Sequence, residues 1–304
     1  MLNNGKISNF AQVAGIRRYV LTEGVGKGID VIDCNSGRLR FLVNVSKACD
    51  IMQAYYEGQN LSFVSKNGFT KRELPFLKRF EGGMLYTAGL DSLGGREGYE
   101  IHGSFHNTPA EIISAKCGEN GVEIVAEIKD AALFGKNLVL RRRIYSALNG
   151  DALSVEDTLV NAGYADENFC LLYHINVGYP LLDAGGKIIA DVKKCVPRTP
   201  RAKEKQADAF ITEDDEPNAE ETCYFLTLAS PEISYINEKS GKKFTVRYSG
   251  ETLPHLVEWK STASGDYALG IEPCTSELDE KFAYKSIKAG EEIKFRIEMQ
   301  VEKL

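Results

Sequence analysis

Apolar residues recur at every second position over much of this chain. Residues 39–46 (LRFLVNVS), 122–129 (VEIVAEIK), 138–146 (LVLRRRIYS), 244–248 (FTVRY) and 292–301 (EIKFRIEMQV) all show the pattern. A period of two sends successive side chains to opposite faces of a sheet. Glycine-bearing turns separate such runs, at Asn120-Gly121, Asn149-Gly150, Gly185-Gly186 and Ser240-Gly241. Residues 200–210 (PRAKEKQADAF) are the one stretch that tempts toward helix, and they carry no apolar stripe. Many short strands without alternating long helices predict an all-β fold, a large antiparallel β-sandwich. With 43% hydrophobic residues among 304, the chain can bury a sizeable core. Large sandwiches run to such lengths as one unit, so one domain is expected over residues 1–304.

Residues 196–221 break the pattern, being rich in charge and proline and including Glu213-Asp214-Asp215-Glu216-Pro217. Two readings stand: a solvated excursion between strands, or a mobile flap over a site. The net charge of −6 argues against non-specific binding to nucleic acid or to an anionic membrane. The first twenty residues lack a basic stretch followed by an apolar one, so no secretory leader is expected. No run approaches the length of a membrane span. The seven cysteines are scattered and form no CxxC, which fits reduced thiols in a cytoplasmic protein.

Histidine titrates near neutrality, and there are only four: His102, His106, His174 and His255. His102 and His106 are spaced as helical zinc ligands would be. Gly103 and Pro109 argue against a helix, and no third ligand is suggested, so no metal is expected. His174 lies in an apolar strand, where alternation puts Leu172, His174 and Asn176 on one face and Tyr173, Ile175 and Val177 on the other. Glu272 ends an apolar run just before Pro273. A carboxylate buried there would have a raised pKa, which suits a general base near neutral pH. Arg141-Arg142-Arg143 alternates faces and is not a basic patch. Trp259, the only tryptophan, and Lys260 could line a sugar site or be core and surface. The glycine-rich stretch around Asp91 matches neither GxxxxGK[ST] nor GxGxxG, so no nucleotide is expected.

Several fragments, in order, resemble the galactose mutarotase-like superfamily, and most closely the aldose 1-epimerase family. They are Lys47-Ala-Cys-Asp-Ile51, Gly89-Leu-Asp91, His102-Gly with Asn107-Thr-Pro-Ala110, Leu172-Tyr-His-Ile-Asn176, and Trp259-Lys260 followed by Tyr267-Ala-Leu-Gly-Ile-Glu-Pro273. The resemblance implies a sandwich with its site on the concave face and a cofactor-free reaction that interconverts sugar anomers. It implies that His174 is the acid, Glu272 the base, and His102 a second histidine that steadies the sugar. It also marks Lys47, Asp50, Asp91, His106, Asn176, Trp259 and Lys260 as sugar contacts. The expected partner is a small-molecule carbohydrate, and a homodimer is compatible with it. The chain departs from the family pattern in carrying Lys47 and Ser104 where such proteins often have arginine. Lysine and serine do not replace a bidentate guanidinium. A non-catalytic sugar-binding or sensing protein, or another sugar isomerase or lyase on the same fold, is the alternative reading.

Overall fold

The computed structural model describes residues 5–304; the first four of the twenty residues over which a leader was sought lie outside it. Strand accounts for about 51% of the chain and helix for 8%, so period-two patterning governs the architecture. A five-stranded sheet comes first: β1 (Gly15–Val20), β2 (Asp30–Asn35), β3 (Leu39–Asn44), β4 (Asp50–Tyr56) and β5 (Gln59–Asn60), in that order. The larger sheet has thirteen strands. They are β6 (Tyr86–Leu90), β7 (Ala110–Gly118), β8 (Gly121–Ala131), β9 (Asn137–Ser146), β10 (Ala152–Asn161), β11 (Glu167–Val177), β12 (Lys187–Pro197), β13 (Thr222–Asn237), β14 (Lys242–Tyr248), β15 (His255–Ser261), β16 (Ala268–Cys274), β17 (Lys285–Ile287) and β18 (Glu292–Lys303). Its main path runs β17-β11-β16-β15-β13-β14-β18-β10-β9-β8-β7, with β12 against β13 and β6 against β11. Every pairing of named strands is antiparallel. Each of the five alternating runs falls on a strand, and the fold is the expected antiparallel β-sandwich. Two short helices, α1 (Phe76–Arg79) and α2 (Pro200–Glu204), sit in the connections.

One hydrophobic cluster draws on both sheets, taking Ile32, Phe41 and Ala54 from the first and Ile124, Leu140, Val155 and Phe295 from the second. Alternation explains who contributes. In β8, Val122, Ile124, Ala126 and Ile128 point inward and are fully buried. In β9 the inward set is Leu138, Leu140, Arg142 and Ile144. The middle arginine of the triplet therefore enters the core, while Arg141 and Arg143 stay outside with Glu127 and Glu123.

A buried guanidinium must be fully satisfied, and Arg142 is. Its Nε and Nη2 donate to the two oxygens of Asp157 at 3.0 and 2.7 Å. Its Nη1 donates to Asp50 at 2.6 Å and to the Ala48 carbonyl at 2.9 Å. Thr87 and His106 also donate to Asp50, and Tyr173 donates to Asp157. Burial alone would raise the Asp50 pKa; the His106 hydrogen bond and the Arg142 charge bring it below the ordinary carboxylate value. This hub ties β4 of the small sheet to β6, β9, β10 and β11 of the large one.

The charged excursion exposes much of its length to solvent, and it is also anchored to the core. It contains α2, capped by the Thr199 hydroxyl, and a 3-10 turn at Gln206–Asp208, so the stretch read as lacking helix is helical. Ala202 and Ala209 anchor it in the main core. The buried Lys260 ammonium donates to the carbonyls of Asp208, Ala209 and Ile211. Among the described residues no helix is long and apolar enough to cross a membrane, and all seven cysteines are free thiols.

Replacing Arg142 by Met would leave Asp50 and Asp157 buried without their counter-ion. Urea unfolding should then show a loss of about 3–5 kcal/mol, the usual cost of breaking a buried pair. A loss below about 1 kcal/mol, the size of an ordinary surface change, would show that the hub does not join the sheets.

Candidate active site

Strand register makes the site. In the β11–β16 ladder Leu172 lies opposite Cys274 and Ile175 opposite Ile271, which sets His174 across from Glu272. Residues directly opposite on an antiparallel pair share a face. On the other side of β11, Tyr86 of β6 is the partner of His174, and Val257 of β15 is the partner of Glu272. A row Tyr86–His174–Glu272–Val257 thus crosses four strands. Its last three members, His174, Glu272 and Val257, form part of the floor of a cavity of about 670 Å³.

The His174 Nε2 and Glu272 Oε1 atoms approach to 3.2 Å. They lack the alignment of a hydrogen bond, and Glu272 Oε1 and His174 Nδ1 have no partner. Gly270 makes the close approach possible. A Cβ there would lie 2.6 Å from Glu272 Oε1 and 2.9 Å from His174 Cε1. Aromatic rings enclose the pair. Phe80 and Trp259 have ring centroids 5.5 and 5.6 Å from that of His174. Trp259 Nε1 donates to Glu221 at 2.7 Å, which fixes the indole.

His102 comes from the loop after β6, with its backbone in the left-handed region at φ 62. Gly94 and Gly89 hold it there, the His102 N–H donating to the Gly94 carbonyl and the Gly89 N–H donating to the His102 carbonyl. The fold around it is a turn followed by a three-residue 3-10 helix, Phe105–Asn107. The imidazole stands edge-on to His174 at 5.6 Å, and its Nδ1 has no partner.

Burial dominates the protonation of these groups. It pushes the Glu272 carboxyl up to about 8, with Glu221 adding to the rise and Arg198 opposing it. It holds the His174 imidazole well below its ordinary value, and His102 adds to the depression. His102 is lowered too, by burial first and then by Arg198. At neutral pH the pair therefore carries a carboxylic acid beside a neutral imidazole.

His102, His174, Glu272 and Trp259 line one cavity. The other six expected sugar contacts do not, and each has a physical reason. Lys47 is buried against Glu81 at 3.0 Å. Asp50 and His106 belong to the hub, His106 lying under Tyr86 with ring centroids 3.7 Å apart. Asp91 accepts from the backbone and hydroxyl of Ser104 and so shapes the loop. The Asn176 amide turns back to the His174 carbonyl at 3.0 Å. Lys260 alternates away from Trp259 and holds the excursion. In return the excursion contributes cavity residues that the sequence reading missed, Arg198 and Glu221, and α1 and its end contribute Phe76 and Phe80. The only signal for the former was the unusual charge of residues 196–221.

The sequence model of one family, a domain of unknown function (DUF4432), matches residues 26–301. The chain belongs to that family. No curated protein sequence matches this DUF4432 chain. Solved structures do match it in three dimensions. A candidate aldose 1-epimerase of Klebsiella pneumoniae superposes with a TM-score of 0.84 at 18% identity, over 94% of this chain and 83% of its own. A galactose mutarotase-like protein of Clostridium acetobutylicum gives 0.72 at 13%, over 96% and 100%. A candidate mutarotase of Salmonella typhimurium gives 0.70 at 13%, over 98% and 96%. The DUF4432 chain has the galactose mutarotase-like fold.

The raised Glu272 pKa has a signed consequence for stability. The folded value, about 8, exceeds the ordinary 4.5, so the folded chain keeps a proton that the unfolded chain releases. The resulting stabilisation is full below pH 4.5 and is lost as pH rises to 8. Glutamine has no such loss. The thermal midpoint of Glu272→Gln should therefore gain on the wild type between pH 4.5 and 8 and hold its gain above. A gap that is flat across that range would show that Glu272 is not held protonated.

Proposed function

We propose that this protein is an aldose 1-epimerase-like enzyme that interconverts the α and β anomers of a sugar. The observation that carries this reading is the His174–Glu272 pair, opposed at 3.2 Å on the floor of an aromatic-walled cavity, with polar atoms left unpartnered. Mutarotation needs one group to take the proton of the anomeric hydroxyl and one to protonate the ring oxygen. The C1–O5 bond then breaks, the C1 carbonyl turns about C1–C2, and the ring recloses with the roles exchanged. Atoms and charge balance without an oxidant, a metal or a nucleotide.

The reaction needs one proton shared by two groups. His174 as acid with Glu272 as base, or the reverse, is the same one-proton state of a coupled pair. The hydroxyl oxygen that loses its proton and the ring oxygen that gains one are both bonded to C1 of the sugar, which matches two groups this close together. Phe76, Phe80 and Trp259 offer flat apolar faces to sugar C–H surfaces. His102, with a free Nδ1, is placed to hold a neighbouring oxygen. The fold shared with mutarotase-like proteins supports the same reading.

Exchange between anomers, followed by saturation-transfer NMR over several aldoses, tests it. His174→Asn and Glu272→Gln should each reduce catalysed exchange by about 10²–10⁴-fold, the usual contribution of a positioned acid or base. Gly270→Ala, which intrudes between the two groups, should also lower it. Wild-type kcat/KM should fall above about pH 8, where Glu272 loses the shared proton. If the wild type binds sugars but accelerates no exchange, the pocket is a binding site and the enzyme reading is wrong.

A further inference from the structure

Two cations line the cavity, Lys66 and Arg198. Lys66 is 67% exposed and pairs with Asp266 at 2.7 Å. Arg198 is placed differently. Its backbone N–H donates to the Cys223 carbonyl at 2.8 Å, which fixes the start of the excursion against β13. Its Nε and Nη2 donate to the two carboxylate oxygens of Asp279. That fork satisfies one edge of the guanidinium. The other edge, Nη1, meets only the Cys223 sulfur at 4.0 Å. A thiol is a weak acceptor, so this edge keeps unused donor capacity. Cys223 itself lines the cavity.

Asp279 sits at φ 64, in the left-handed region that aspartate tolerates better than most side chains. The two positions where arginine would be expected by resemblance do not compete for the role. Lys47 is buried against Glu81, and the Ser104 hydroxyl is spent on Asp91. Arg198 is the only guanidinium among the described residues that line the cavity.

We propose that Arg198 contacts the substrate: the Asp279 clamp presents its Nη1 edge to an oxygen of the bound sugar. Arg198 is then a specificity-determining residue and Asp279 its positioning residue. The anomerase reading supplies the ligand class, but the contact can be tested without turnover. The charge of Arg198 already reaches the site, since it opposes the rise at Glu272 and depresses His102.

The test is a binding panel by NMR or calorimetry, using D-glucose, D-galactose and the monodeoxy derivatives of each. Wild type is compared with Arg198→Ala, Arg198→Lys and Asp279→Asn. A hydrogen bond from a charged donor is worth about tenfold or more in affinity. At least one monodeoxy sugar should bind wild type about tenfold more weakly than its parent, yet match its parent on Arg198→Ala. Arg198→Lys should recover part of the discrimination. Asp279→Asn should raise KM about threefold or more while leaving kcat within about twofold, because it loosens position and not proton transfer. Should Arg198→Ala fail to fold, the Lys and Asn variants carry the same comparison.

Equal loss from every deoxy sugar in wild type and variants overturns the contact, as does wild-type affinity in Arg198→Ala or the absence of binding by any sugar in the panel. The two readings fail separately. Loss of exchange in His174→Asn and Glu272→Gln with no change in Arg198→Ala sinks only the contact. Arg198-dependent binding with no catalysed exchange sinks only the enzyme.

Discussion

Arg142 holds the two sheets and the site in one frame. It is one of three consecutive arginines, and strand alternation alone decides that it enters the core. Once there it must find acceptors, and it finds Asp157 on the next strand and Asp50 on the other sheet. Thr87 and Tyr173 complete the shell, and each is the sequence neighbour of a residue on the opposite side of its strand: Tyr86, and His174 on the cavity floor. The same backbone positions that satisfy the buried charge therefore set the row that carries the candidate chemistry. A shift of β11 by one residue would break the hub and turn His174 into the core at once.

Much of this was legible in the sequence, for reasons that can be named. Period-two patterning survives in a sheet with one buried face, so the strands and the all-β fold were readable. The shared face of His174 and Asn176 followed from the same rule. Which of the marked residues meet in one cavity was not readable from local spacing. Lys260 and Trp259 are neighbours in the chain, yet one holds the excursion and the other walls the cavity, because contacts across strands, not distance along the chain, decide their surroundings. Arg142 was read only as the middle of a triplet that alternates faces, since nothing local reveals that carboxylates from two other strands will surround it. The anchoring of the excursion was not readable, because its charges face solvent while its carbonyls are what the buried Lys260 captures.

Burial moves Glu272 up and His174 down, so that at neutral pH both are uncharged and the proton rests on Glu272. The excursion adds one charge of each sign, and these pull the Glu272 proton in opposite directions. Such an arrangement lets the same few side chains give and take a proton with little rearrangement of surrounding dipoles. Gly270 is the steric counterpart: the absence of one carbon atom lets the imidazole and the carboxyl stand in reach of each other.

The hub also imposes an order on how the protein is made. Asp50 leaves the ribosome early, whereas its counter-ion Arg142 lies 92 residues further on. At roughly 5–20 residues per second, several seconds separate the two, and Glu272 comes later still. Through that interval the first sheet holds a carboxylate meant for the interior with no cation to meet it. The buried pair can form only once β9 has arrived, and the row that carries Glu272 is complete only after β16.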